Sequence, residues 1–163
     1  MTILRPTALN ASDFEPFGDI IDTEGAPDII INQGRCGRYH DRATLDFCAG
    51  NAGISLFHTD LVTWPITISV MERHPLGSQA FIPMSHAPFL VVVAHDKVGM
   101  PDSPKALMTA PGQAINIHRN IWHAPLLALH APGLFAIIDR IGPESNLEEY
   151  ILEQDYIIEQ DIH

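Results

Sequence analysis

From residue 54 onward the chain is a succession of short apolar and β-branched runs, each closed by proline, glycine or a polar turn. The runs cover residues 54–58, 67–72, 79–82, 89–93, 106–108, 114–118, 126–129 and 134–138. Between them stand His74-Pro75-Leu76-Gly77, Pro83, Pro101-Asp102, Pro111-Gly112 and Pro132-Gly133, residue types that reverse the chain. Strands this short, with no helix-length segment between them, cannot build a parallel sheet with crossover helices. They predict an all-β sandwich or barrel. The 163 residues, without repeat or linker, predict one domain over 1–163, large enough to bury a core without metal or disulfide staples.

The ends are less regular. Ser12 and Glu15 have capping-box spacing, and Gly18 would stop a helix after one or two turns. In the acidic tail, 146–160, Leu147, Tyr150 and Ile151 have the spacing of a helix face, whereas Tyr156-Ile157-Ile158 suits a strand. Both readings stay open.

Twenty acidic against nine basic side chains leave a net charge of −11, which repels phosphate backbones and anionic lipid surfaces. Nucleic acid and membrane are therefore not expected partners. The longest apolar run, 89–94, falls far short of a membrane span, and the N-terminus shows no secretory pattern. A soluble, cytoplasmic protein is expected. Cys36 and Cys48 are expected as reduced thiols, and no cysteine zinc site can be assembled.

Positive charge gathers beside histidine: Arg38 and Arg42 flank His40, Arg73 precedes His74, and Arg119 follows His118. Arginine holds a carboxylate through two parallel hydrogen bonds, and histidine moves protons near neutral pH. Together they point to a pocket for a small anion. Two stretches concentrate the chemistry. In 72–83, Glu72 and His74 share a strand face and Gln79 returns toward them across a glycine turn. In 118–125, His118-Arg119-Asn120-Ile121-Trp122-His123-Ala124-Pro125 follows the turn at Pro111-Gly112.

The first stretch resembles the first cupin motif, His-x-His-x4-Glu, with Glu72, His74 and Gln79 in the ligand positions. The second is similar to the second cupin motif and puts His123 where the last ligand would stand. Asn32-Gln33-Gly34, Arg38-Tyr39-His40-Asp41, Glu72-Arg73-His74-Pro75-Leu76-Gly77-Ser78-Gln79-Ala80-Phe81-Ile82-Pro83, the block 116–123 and Ile138-Asp139-Arg140 narrow the match. Over most of its length the chain resembles the ureidoglycolate lyase (ureidoglycolate hydrolase) family, with Gln33, Ile117, Ala124 and Ile141-Gly142-Pro143 at variant positions.

The resemblance implies a cupin-type jelly-roll barrel, and a homodimer that cleaves (S)-ureidoglycolate to glyoxylate and urea in allantoin and purine nitrogen catabolism. That reaction is an elimination: it needs a carboxylate anchor, removal of the hydroxyl proton and protonation of the departing nitrogen. Glu72, His74, His118 and His123 are the expected proton-transfer groups. Arg38, Arg73, Gln79, Arg119 and Arg140 are the expected substrate-binding groups, although strand alternation turns Arg73 away from Glu72. Glu72, His74, Gln79 and His123 would hold a divalent ion, with two nitrogens and two oxygens that suit nickel, manganese or zinc.

His58, His86, His95, His130 and His163 lack ligand spacing, and Trp64 and Trp122 are expected in the wall or core. The rival readings are a metal-dependent cupin isomerase or oxygenase, and a non-catalytic cupin that binds a small acid. The altered ligand set counts against the oxygenase, and a sensor lacks chain for an output segment.

Overall fold

The computed structural model describes residues 2–160. The elements run β1 (Thr2–Leu4), β2 (Thr7–Ala8), α1 (Ala11–Phe14), β3 (Gly18–Ile21), β4 (Ile29–Ile31), β5 (Cys36–Arg38), β6 (Asn51–His58), β7 (Ile66–Arg73) and β8 (Gln79–Pro83). They continue with β9 (Phe89–Lys97), β10 (Met100–Met108), β11 (Ala114–Ile117), β12 (Trp122–His123), β13 (Leu127–Ala128), β14 (Leu134–Ile141) and β15 (Glu148–Ile158). The fold is all-β, a cupin-type jelly roll whose two curled sheets face each other. One sheet has the order β1-β15-β7-β12-β9-β10-β2, with β13 also on β9; the other has β3-β11-β8-β14-β6. A separate hairpin pairs β4 with β5.

The apolar run that opens β9 explains where the core lies. Residues 89 to 94 are all buried, as expected of a central strand covered on both faces. Phe89, Val91 and Val93 face the space between the sheets, where Phe81, Ile115, Phe135 and Ile137 from the second sheet meet them. The rings of Phe89 and Phe135 meet edge to face at 5.0 Å. Leu90, Val92 and Ala94 point the other way and pack with Met71, Trp122 and Ile158. Each fully buried phenylalanine or leucine contributes about 1.5–3 kcal/mol. Trp122, 2% exposed, belongs to this outer core, as its sequence context suggested.

All eight expected strands form, with several boundaries moved. The hairpin between β9 and β10 turns at Val98-Gly99, not at Pro101-Asp102. Both turn residues have positive φ (55° and 81°), the requirement of a two-residue type I′ loop. Pro101 lies inside β10, which shifts register between Asp102 and Lys105, with Ser103 at φ 52°. The cap of α1 is Asn10, not Ser12: the Asn10 side chain accepts from the Asp13 N–H at 3.0 Å, and Ser12 Oγ donates to the same oxygen. The C-terminal segment is strand: β15 runs antiparallel to β7, with a register shift between Ile151 and Tyr156.

Candidate active site

Glu72 and His123 are direct partners across the β7–β12 ladder, and His123 is also paired with Val93 of β9. Register partners share a face, so both side chains point into the space between the sheets, as Val93 does. His74, two residues beyond Glu72, follows on the same side, its ring centroid 5.2 Å from that of His123. The turn through Gly77 then brings Gln79, at the start of β8, across to His74: Gln79 Oε1 is 3.0 Å from His74 Nε2. The four residues expected to share a cavity wall therefore do meet.

Both imidazoles are oriented by backbone carbonyls. His74 Nδ1 lies 2.7 Å from the Asn146 carbonyl oxygen, and His123 Nδ1 lies 2.9 Å from that of Ile121. A carbonyl only accepts, so each Nδ1 carries a proton, and in the neutral ring Nε2 presents its lone pair. His74 Nε2 then faces another acceptor, Gln79 Oε1. His123 Nε2 is buried without a hydrogen-bond partner among the described residues, 3.6 Å from Glu72 Oε1, too long for a hydrogen bond.

Lone pairs converging on one point call for a positive species there, a proton or a metal cation. Ligand atoms of Glu72, His74 and His123 all lie within 4.8 Å of one another. Nδ1-anchored histidines with free Nε2 atoms are the usual arrangement of metal-binding imidazoles, so these residues fit a divalent ion.

The electrostatics agree. Burial pushes Glu72 up, but the adjoining His123 and the charge of His74 outweigh it and hold the carboxyl below its ordinary value. His74 is held below the ordinary imidazole value, by burial first and by the charge of His123 second; the contacts to Asn146, Glu72 and Gln79 pull the other way. Glu72 is thus ionised and His74 neutral at neutral pH.

Glu72 opens onto a cleft of about 540 Å³ shared with Phe57, His58, Thr59, Pro125 and Leu126. On the inner side of His123 the core leaves only about 10 Å³, room for a single water at most. His58, which has no ligand spacing in the sequence, thus borders the cleft because β6 forms its rim.

The arginines lie elsewhere. Arg73 projects to the opposite face of β7, as alternation requires. There it donates to Glu148 at 2.6 Å and Asp96 at 2.7 Å and stacks 4.3 Å over Trp122, whose Nε1–H also donates to Asp96. Arg140 is 8% exposed on the outer face of β14, where it donates to the Phe47 carbonyl and pairs with Glu144. Its side chain takes the space that a Cβ at Gly50 or Gly77 would need. Arg38 is exposed on β5, outside both large sheets.

His118 and Arg119 line a second cleft, of about 390 Å³, with Asp19, Thr44, Asp46 and Ser78. His118 Nε2 is 3.0 Å from Asp19 Oδ2, and Arg119 Nε is 2.9 Å from Asp46 Oδ2. The structure thus divides the expected site residues between separate places. Glu72, His74, Gln79 and His123 converge, whereas Arg73 and Arg140 are held on outer faces and His118 with Arg119 forms a separate group.

Sequence reasoning missed two supporting groups. Asn146 accepts from His74 through its carbonyl, and its side-chain oxygen accepts from the Leu76 N–H at 2.7 Å. Asp139 accepts from Gln79 Nε2 at 3.2 Å. A carboxylate within the apolar run of β14 was the available signal for Asp139; none marked Asn146. His163 lies outside the described residues.

Residues 1–159 match the family model described as ureidoglycolate lyase. The chain belongs to the ureidoglycolate lyase family. It is 54% identical over 152 residues to the ureidoglycolate lyase of Rhodobacter capsulatus, covering 93% of this chain and 94% of the relative. It is 46% identical over 158 residues to ureidoglycolate lyase 2 of Rhizobium meliloti, covering 96% of each. It is also 46% identical over 160 residues to the ureidoglycolate lyase of Mesorhizobium japonicum, covering 97% and 98%. As a member of this family the chain is an enzyme of the lyase class, and the cupin-type sheets are the frame on which this member carries the Glu72–His74–His123 cluster.

Proposed function

We propose that the protein cleaves (S)-ureidoglycolate to glyoxylate and urea at the Glu72–His74–Gln79–His123 cluster, serving nitrogen recovery from allantoin and purines. The observation that carries this reading is the pair of Nδ1-anchored histidines facing an ionised glutamate at the head of an open cleft. Glu72 receives the proton of the substrate hydroxyl. As the carbonyl of glyoxylate forms, the carbon–nitrogen bond breaks and its electron pair goes to the departing urea nitrogen, which takes that proton. No water is consumed. His74, His123, Glu72 and Gln79 would hold a divalent ion such as nickel, manganese or zinc. When bound, the ion would supply Lewis-acid polarisation of the hydroxyl and a counter-charge for the carboxylate.

A homodimer and a cytoplasmic setting belong to the same reading. The eight-residue edge of β6 leaves Ile54 76% and Leu56 64% exposed, and an apolar sheet edge is a template for pairing. Cys36 and Cys48 are free thiols, which suits a reducing compartment. No described helix is long and apolar enough to cross a membrane. The deciding experiment offers ureidoglycolate to chelator-treated protein, follows glyoxylate release, and then adds back nickel, manganese and zinc singly. Release with any of these supports the assignment, and none under every condition overturns it.

A further inference from the structure

Gln79 is 5% exposed and reaches two polar groups of different kinds, Asp139 on one side and His74 on the other. A primary amide has two ends of nearly equal shape and opposite chemistry, and its neighbours decide which end faces where. Asp139 stands on the inner face of β14, one step beyond the Ile138–Ala80 register pair and so beside Gln79. A carboxylate only accepts. The full charge of Asp139 outweighs the neutral lone pair of His74 Nε2, so the amide turns its NH₂ toward Asp139 and its oxygen toward His74, and the reverse orientation would set two oxygens against each other at the 3.2 Å contact.

We infer that Asp139 is a positioning residue, which fixes the Gln79 amide so that its carbonyl oxygen, and not its NH₂, faces His74 within the Glu72–His74–His123 cluster. The function of that oxygen rests on the activity proposed above; its orientation does not. The cupin pattern places a carboxylate at position 79. Here the carboxylate stands one layer back, on Asp139, and an amide relays it. The cluster gains a neutral acceptor without a second negative charge beside Glu72. Such an oxygen can hold a cation or a substrate N–H, and a flipped amide could do neither.

The test compares the full-length protein with Asp139→Asn, Gln79→Glu and the double variant Asp139→Asn/Gln79→Glu. Asparagine at 139 removes the bias, because it can donate as well as accept. In Asp139→Asn the side-chain NH₂ protons of Gln79, followed by ¹⁵N NMR, should exchange roughly tenfold faster or more, the factor for losing a charge-assisted hydrogen bond. On ureidoglycolate, kcat should fall about tenfold or more, the usual effect of removing an outer-shell partner, with a smaller change in KM. In the double variant the introduced asparagine can donate to the introduced glutamate and an oxygen faces His74 again, so kcat should rise at least about threefold above Asp139→Asn while staying below wild type because of the added charge beside Glu72. Unchanged amide exchange in Asp139→Asn, or a double variant no better than that single variant, overturns the inference. If the wild-type protein fails to cleave ureidoglycolate, the assigned reaction falls, while amide exchange still decides the role of Asp139.

Discussion

His123 stands directly opposite Glu72 in the β7–β12 ladder, with its buried Nε2 3.6 Å from the glutamate oxygen. The pairing sets this distance, so either side chain can be changed without moving the other's backbone. Glu72→Gln, nearly isosteric, should lower kcat at least about tenfold while the unfolding midpoint stays close to wild type. His123→Ala should lower turnover by a similar factor and also cost stability, because it empties a site that is 1% exposed. Steady-state rates together with urea unfolding check both, and wild-type turnover in either variant removes the proposed site.

Arg73 makes its contacts on the far side of β7, so its loss should act on the fold and not on the reaction. Its partners Asp96 and Glu148 are nearly half exposed, which limits the value of the ion pairs, and the stacking on Trp122 adds to them. Arg73→Met should cost about 1 kcal/mol in urea unfolding and leave kcat/KM within about twofold of wild type. A tenfold loss in kcat/KM would return Arg73 to the substrate.

The second cleft supplies a contrast. His118→Ala and Arg119→Ala break the contacts to Asp19 and Asp46 without touching the Glu72 cluster. Each should change kcat/KM by less than about threefold, the scale of peripheral substitutions away from the reacting atoms. If either variant abolishes glyoxylate release, the chemistry belongs to that cleft.

Acid should destabilise the protein in a defined window. The folded state holds His74 below 6.5. The unfolded chain therefore binds this proton more readily once pH falls below about 6.5. The contribution of the neutral ring is complete above that value and is lost progressively as pH drops toward the folded-state pKa. Glu72, also depressed, adds a second loss below its ordinary 4.5. Unfolding free energies of chelator-treated protein between about pH 7 and 5 should therefore fall more steeply for wild type than for His74→Gln. Parallel curves would contradict the shift.

The β-runs and the meeting of Glu72, His74 and Gln79 were legible in the sequence because strand periodicity and a short turn determine them locally, whereas His123 was reached only through the resemblance to the second cupin motif. Alternation also warned against Arg73. What the sequence hid was nonlocal. Arg140 looked available for substrate, but its outward placement depends on the segment around Phe47 folding over it. The separation of His118 from His123, only five residues apart, depends on the bend through Asn120, whose φ is 66° and whose N–H donates to the His74 carbonyl. The strand character of β15 comes from its pairing with β7, which overrides a spacing equally suited to a helix face.

Asp139 and Arg140 are consecutive in β14 and serve opposite sides of one sheet, the first braced against Gln79 and the second clamped beneath Phe47. A displacement of β14 by a single position would exchange them. A cation would then be thrust toward the imidazoles and a carboxylate left beneath the covering loop. The strand is thus intolerant of odd-numbered insertions or deletions upstream of this dipeptide, whatever their hydrophobicity. Family members that differ in length before it should compensate within the turn that leads into β14, never inside the strand.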